Sequence, residues 1–585
     1  MSGCERAVNF LLPSRALFIL LLSIGFVSIC MLLEIKYHLA GVKGHPIDIC
    51  TSVPEDVKKE AYLAIGGINK KLKSASSSSN AKESKTTSCS ISKDLCQATN
   101  SKMCASFICF VQGVADYGPE YKLPSNLTLQ RKLIPNLMVK VEEYIRRIKN
   151  FWSVTGCTLM SSIWSDVDQR AFINVSAYSP SGEIFLKSFE VSKAKITTLY
   201  IKDIISSVID EIGSDKVVQL IIDNTTNFES TRDMLIGKYP RFYITRCAAY
   251  GIQMLLKDIC EEVDWVKKIL RDAKSIVSYM YKDSIILSLM GEYTNHKELK
   301  HPCTSRFSSN FLMLRSILNV QEELQLLVAS SKWKKLNHNE KGTSEMVASI
   351  IQSTEFWSQG KEVLLVLEPL VRVLRLVDSD WSTTGYLYEA MEMEKEAIKQ
   401  QCASNQDKYM QIWELVNCRH TENIIHPIHA AATFLNPSNM CSEKFVESSE
   451  IKDGISFILE NLVGIEERED FMKQVQLYRH KEYDGISVEN VFLSYKSIIR
   501  ILSQPCSSSL CKHNWNAYEV TQTKTNMLTS KMLDNLVYVR MNSMMMKKFD
   551  TRESRNLEPI YLDKLNELHE YDDDENFGML IHSVE

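Results

Sequence analysis

Two rhythms of apolar and polar positions divide this chain. Between residues 157 and 250 the apolar side chains fall in short blocks separated by turn formers, the signature of strands; from 263 to 425 they recur every three to four residues, the signature of helices. In the first region the pattern predicts strands over 158–164, 170–178, 183–191, 217–223 and 241–248, with helices over 198–212, 228–238 and 252–262. The block V-V-Q-L-I-I at 217–222 carries no charge, which suits a strand buried on both faces, and it runs into Asp223 with N-T-T-N behind it. A carboxylate at such a tip stands where open sheets collect ligands and metals; it equally suits a cap for the helix that follows, and the stretch alone favours neither. In the second region apolar repeats predict helices in 265–281, 311–327, 356–377 and 386–400, and a helix of small residues follows the turn at His426. His426 and His429 fall near one face of it with no Cys or carboxylate at ligand spacing, so they are read as packing residues.

Three strands, then helix, strand, helix, strand, helix is the order of an RNase H-like α/β core. That core is assigned to 103–262, a large all-α insertion to 263–440, a helical C-terminal segment to 441–546 and an acidic tail, containing D-D-D-E at 572–575, to 547–585. Residues 61–102 are rich in Ser and Lys and poor in large apolar side chains, the composition of a linker. Ahead of it lies a hydrophobic segment, 1–36, in which Ala16–Leu33 is an uncharged run of 18 residues. That length meets the lower limit for a membrane span, and the absence of a small-residue cleavage site favours a signal anchor over a removed leader.

Charge and cysteine usage narrow the partners. A net charge of -4 gives no overall attraction to phosphates, so contact with nucleic acid has to come from a local basic patch. The 16 cysteines are scattered with no close C-x-x-C pair, as expected for reduced intracellular thiols rather than a disulfide framework.

Several ordered blocks then carry a resemblance. They are Y-H-L-A-G-V-K-G-H-P-I-D-I-C-T-S-V-P-E-D-V (37–57), D-Y-G-P-E-Y-K-L-P (116–124), T-G-C-T-L-M-S-S-I-W-S-D (155–166), I-I-D-N-T-T-N-F (221–228), T-R-C-A-A-Y (245–250) and T-S-R-F (304–307). They continue with H-P-I-H-A-A-A-T-F-L-N-P (426–437), L-S-Q-P-C-S-S-S-L-C-K-H-N-W (502–515) and L-V-Y-V-R-M-N (536–542). Together they resemble the plant hAT-superfamily transposase-like proteins, whose fold is an RNase H-like core interrupted by a helical insertion and closed by a C-terminal dimerisation segment. The resemblance implies DNA cutting and joining by two divalent ions held by an Asp-Asp-Glu triad, each carboxylate a charged oxygen ligand for a hard cation. In this chain Asp223 matches the second Asp, while Ser162 occupies the first position and Lys512 the third. It also implies a BED-type zinc finger, of which 37–60 is a remnant: His38 and Cys50 match the second ligand pair and the first pair is absent. Two ligands do not close a structural zinc site. The C-x2-H block has likewise become Cys247-Ala248-Ala249-Tyr250.

The resulting expectation is a catalytically inactive transposase-derived protein that needs neither magnesium nor zinc and acts by binding. It is expected to be a nuclear homodimer, joined through a C-terminal dimerisation region that the resemblance assigns to 441–546, in which Leu533, Leu536, Val537 and Val539 form an apolar stripe, with DNA as a further partner. The alternatives are an active transposase and a protein anchored in a membrane through Ala16–Leu33.

Overall fold

The computed structural model describes residues 125–165, 170–191, 197–222, 228–239, 241–303, 306–336, 341–379, 381–401, 406–440, 445–480, 496–509, 530–553, 560 and 562. Two compact units divide the chain: Met1–Lys140 with Asn516–Met541, and Val141–Trp515 with Asn542–Glu585. His38, Cys50, Asp223, Lys512 and the run Ala16–Leu33 all lie outside the described residues. Among the described residues no helix is long and apolar enough to cross a membrane.

The larger unit is built on a mixed five-stranded sheet. Helix α1 (Ile134–Thr155) leads into β1 (Cys157–Ser165), β2 (Ala171–Ser179) and β3 (Gly182–Val191), then α2 (Thr198–Ile212), β4 (Val217–Ile222), α3 (Phe228–Lys238), β5 (Tyr243–Arg246) and α4 (Ala248–Glu262). The strand order is β3-β2-β1-β4-β5. The first three strands are antiparallel neighbours, and β4 and β5 run parallel to β1. All six residues of β4 and all nine of β2 are buried, so the sheet is covered on both faces. That explains why their sequences show apolar blocks rather than alternation.

Local chemistry fixes the joints. Gly156, between α1 and β1, has φ +65°, and a Cβ there would lie 2.1 Å from Val218 Cγ2, so the turn requires glycine. Thr197 caps α2 by accepting the Tyr200 N–H at 3.3 Å, and α2 buries Ile201, Ile204, Ile205, Val208, Ile209 and Ile212 on one side. Each such side chain contributes roughly 1.5–3 kcal/mol when removed from water. On α1, Tyr144 donates its hydroxyl to the Glu183 carbonyl of β3 at 3.2 Å.

Helices α5 (Asp264–Met280), α6 (Ser284–Thr294), α7 (Ser308–Leu318), α8 (Gln321–Ala329), α9 (Ser331–Leu336), α10 (Lys341–Gln352), α11 (Thr354–Val377), α12 (Leu387–Gln401) and α13 (Gln406–Arg419) follow α4. Met160, Tyr178 and Ile221 of the sheet join their apolar core. A second core gathers Tyr243 with α14 (Pro427–Leu435), α16 (Ser449–Asn461), α17 (Arg468–His480) and α18 (Lys496–Leu502), the short α15 (Pro437–Met440) lying between. Helix α19 (Ser530–Glu553) completes the described elements.

Two sequence expectations need correction. The strand predicted over 241–248 is only Tyr243–Arg246, and the helix predicted from 252 begins at Ala248. The cause is distant: the Ala248 N–H, an orphan donor of a helix start, bonds the Cys506 carbonyl at 3.0 Å. The apolar repeat 311–327 is two helices, α7 and α8, because the Asn319 N–H closes the first turn-end on the Arg315 carbonyl and Val320 takes φ -126°.

Candidate functional site

Ser162 lies on the central strand with its side chain fully buried, directly opposite Asn174 of β2, which in turn pairs with Ser188 of β3. Paired residues of antiparallel strands share a face, so the three form a polar row across one face of the sheet. Ser188 donates its hydroxyl to Asn174 Oδ1 at 2.7 Å, and Asn174 Nδ2 is buried without a partner. The last pair of the parallel ladder is Ser161 with Ile222; Ser162 is the next residue of β1, and Asp223 is the next after β4. Of the three positions that the resemblance assigns to metal, the structure thus places Ser162 alone. Its hydroxyl is neutral and supplies none of the charge that a hard divalent cation draws from a carboxylate. Among the described residues no three His, Cys, Asp or Glu side chains are grouped as a metal site.

The segment Ser503–Ser509, taken from the sequence as part of a dimerisation region, is threaded through the interior of its own chain. The Thr158 hydroxyl of β1, with one proton to give, lies 2.7 Å from Gln504 Oε1 and 3.0 Å from Gln219 Oε1. Gln219 Nε2 donates to Thr245 Oγ1 at 2.9 Å, extending the network to β5. Gln504 Nε2 donates to the Thr155 carbonyl at 2.9 Å, and the Gln504 carbonyl accepts the Thr384 hydroxyl at 2.8 Å. The Cys506 N–H bonds Thr383 Oγ1 at 3.1 Å, the Ser508 N–H bonds Cys247 Sγ at 3.3 Å, and Ser507 and Ser509 both donate to Asp378 Oδ1. This strap therefore ties β1, the start of α4 and the α11–α12 turn together. Burial pushes the Cys506 and Cys157 thiols up to about 12, so neither is a nucleophile near neutrality. Sequence reasoning missed the strap; its one signal is a run of small and polar residues without a charge.

The proposed dimer stripe is partly covered already. Val537 and Val539 are buried within the single chain, Leu536 is half-buried, and the Leu533 side chain lies outside the described residues. On the same helix Asn542 acts on the sheet: its Oδ1 accepts the Phe185 N–H and its Nδ2 donates to the Phe185 carbonyl, each at 3.0 Å. Phe185 lies on β3, an edge strand, so one side-chain amide satisfies both outward backbone groups there.

His426 and His429 lie at the start of α14. His426 Nδ1 accepts the Ile428 N–H at 3.3 Å and His429 Nδ1 accepts the His426 N–H at 3.1 Å, a reciprocal helix cap made from two imidazoles.

Comparison with known proteins bears on the sheet region. Residues 124–276 match the family described as a domain of unknown function (DUF659), a domain found in hAT-like transposase-related plant proteins. The match takes in β1 to β5 and the Ser162 position. No curated protein matches the chain.

Proposed function

We propose that this protein is a degenerate hAT-type transposase derivative that has kept an RNase H-like scaffold and lost its chemistry, and that it works by binding. The strand order β3-β2-β1-β4-β5, with three antiparallel strands followed by two parallel ones, supports the RNase H-like reading. The observation that carries the loss of activity is Ser162, a buried hydroxyl on the central strand at the position of a metal-binding carboxylate. Lys512, at the position of the triad's Glu, adds a charge that repels a divalent cation instead of holding it. Self-association is part of the proposal. Since Val537 and Val539 are already covered, a dimer face on α19 is built from its remaining side, where Met544 is 53% exposed. DNA binding and nuclear residence enter through the resemblance alone.

The test is strand cleavage and joining by the full chain in magnesium or manganese, beside the double variant Ser162→Asp, Lys512→Glu. The wild-type chain is expected to be inert, since losing a single catalytic group commonly costs orders of magnitude in rate. Metal-dependent cleavage by the unmodified chain that Asp223→Ala abolishes would refute the proposal.

A further inference from the structure

The double imidazole cap on α14 has a property that ordinary caps lack. Serine, threonine or asparagine accept a backbone N–H at any pH, whereas an imidazole nitrogen accepts only while it carries no proton. Both Nδ1 atoms here accept backbone N–H groups, so the geometry requires both rings to be neutral. Protonating either one turns an acceptor into a donor aimed at another donor.

The surroundings give an added proton no compensation. His429 is fully buried, and its Nε2 has no hydrogen-bond partner. His426 is half-buried, stacked 6.4 Å from the Tyr243 ring of β5 and edge-on 4.9 Å from Phe457 of α16. The charges acting on the pair are Arg232 on α3, which opposes protonation of His426, and His426 itself, which once protonated opposes protonation of His429. Burial first, then Arg232, pulls His426 down to about 4; burial first, then His426, pulls His429 down to about 3.

The capped end is also where α16 is seated. A Cβ on Gly454 of α16 would lie 2.5 Å from the Pro427 carbonyl and 2.8 Å from the Ala431 nitrogen, so the two helices touch backbone to backbone at the first turn of α14. Tyr243 joins α14 and α16 in one apolar cluster. We propose that His426 and His429 form a proton-operated latch that holds helices α14 and α16 against the β5 edge of the sheet and releases them on acidification. The sign follows from linkage. The unfolded histidines bind protons below about 6.5 while the folded ones do not, so the latch is fully closed above that pH and weakens as pH falls toward 4.

The experiment is hydrogen exchange read by mass spectrometry on the full chain across this range, with intrinsic rates corrected for pH, for wild type and for the variant His426→Asn, His429→Asn. Asparagine keeps an acceptor oxygen near the Nδ1 position and does not titrate. In wild type the peptides covering 427–435 and 449–461 should lose protection before those of β1 and β4. In the variant the same loss should move down by about one pH unit or more, following the removed groups' depressed pKa values. An unchanged profile in the variant, or simultaneous loss in sheet and helices, overturns the latch. Should the variant not fold, the wild-type histidine ring resonances decide. Titration of either ring near its ordinary pKa in the folded chain overturns the proposal; rings that stay neutral until the helices open support it.

Discussion

Replacing Gln504 with leucine keeps the volume and removes the amide. The Thr155 carbonyl then loses its donor and the Thr158 hydroxyl one of its two acceptors, inside a region where Gln504 itself is fully buried. Thr158 keeps Gln219 Oε1 as an acceptor, so the Thr155 carbonyl is the group left unpaired, and at 1–3 kcal/mol for such a group Gln504→Leu should cost about 1–3 kcal/mol. A urea unfolding midpoint that falls with an unchanged slope would show it; a shift worth less than about 0.5 kcal/mol would mean water replaces the amide. Thiol reactivity is a second residue-scale readout. With their thiols held near 12 by burial, Cys157 and Cys506 should stay unlabelled in the native chain at mildly alkaline pH, while exposed Cys418 reacts. Mapping the modified peptides checks this, and fast labelling of Cys506 would mean that the strap opens readily. At this scale the sequence, through its strand pattern, puts Ser162 in the sheet, and through the resemblance of its M-S-S-I-W block proposes it as an altered position. It was silent on the row Ser162, Asn174, Ser188, because cross-strand register is set by turns and bulges such as the shift between Val175 and Ser176.

Among the elements, α2 and α3 begin and end where the pattern places them, and the described part of β4 begins where the pattern places it and runs to Ile222. An uncharged block of β-branched and aliphatic residues allows few other readings, and Thr197 and Gly213 punctuate α2 at both ends. The β5–α4 boundary was not legible, since the bond that starts α4 comes from Cys506, far along the chain. The C-terminal helix gives the element-scale prediction. Asn542→Ala strips both partners from the Phe185 backbone on the edge strand, which should cost about 1–3 kcal/mol and raise amide exchange at Phe185. Unaltered exchange there would show that the amide pair contributes nothing to closing the β3 edge.

For the whole molecule, the α/β region is bonded to a segment far along the chain. Thr158 and Gln504 are 346 residues apart in sequence yet bonded at 2.7 Å, and the strap also supplies the donors and acceptors that hold the α11–α12 turn. No local periodicity encodes such a contact, so the sequence alone leaves 502–509 within a dimerisation region rather than in the interior. Residues 125–480 alone should therefore fail to form a cooperative core, and extension through 553 should restore one, as judged by near-ultraviolet circular dichroism and a sharp unfolding transition. A cooperative transition in the shorter chain would contradict the strap's role. The proposed loss of the metal site is tested most directly by calorimetric titration of the full chain with manganese. If Ser162 and Lys512 stand at the first and third metal positions, as proposed, no stoichiometric binding is expected at millimolar metal; saturable binding of one or two ions that Asp223→Ala abolishes would contradict the proposal.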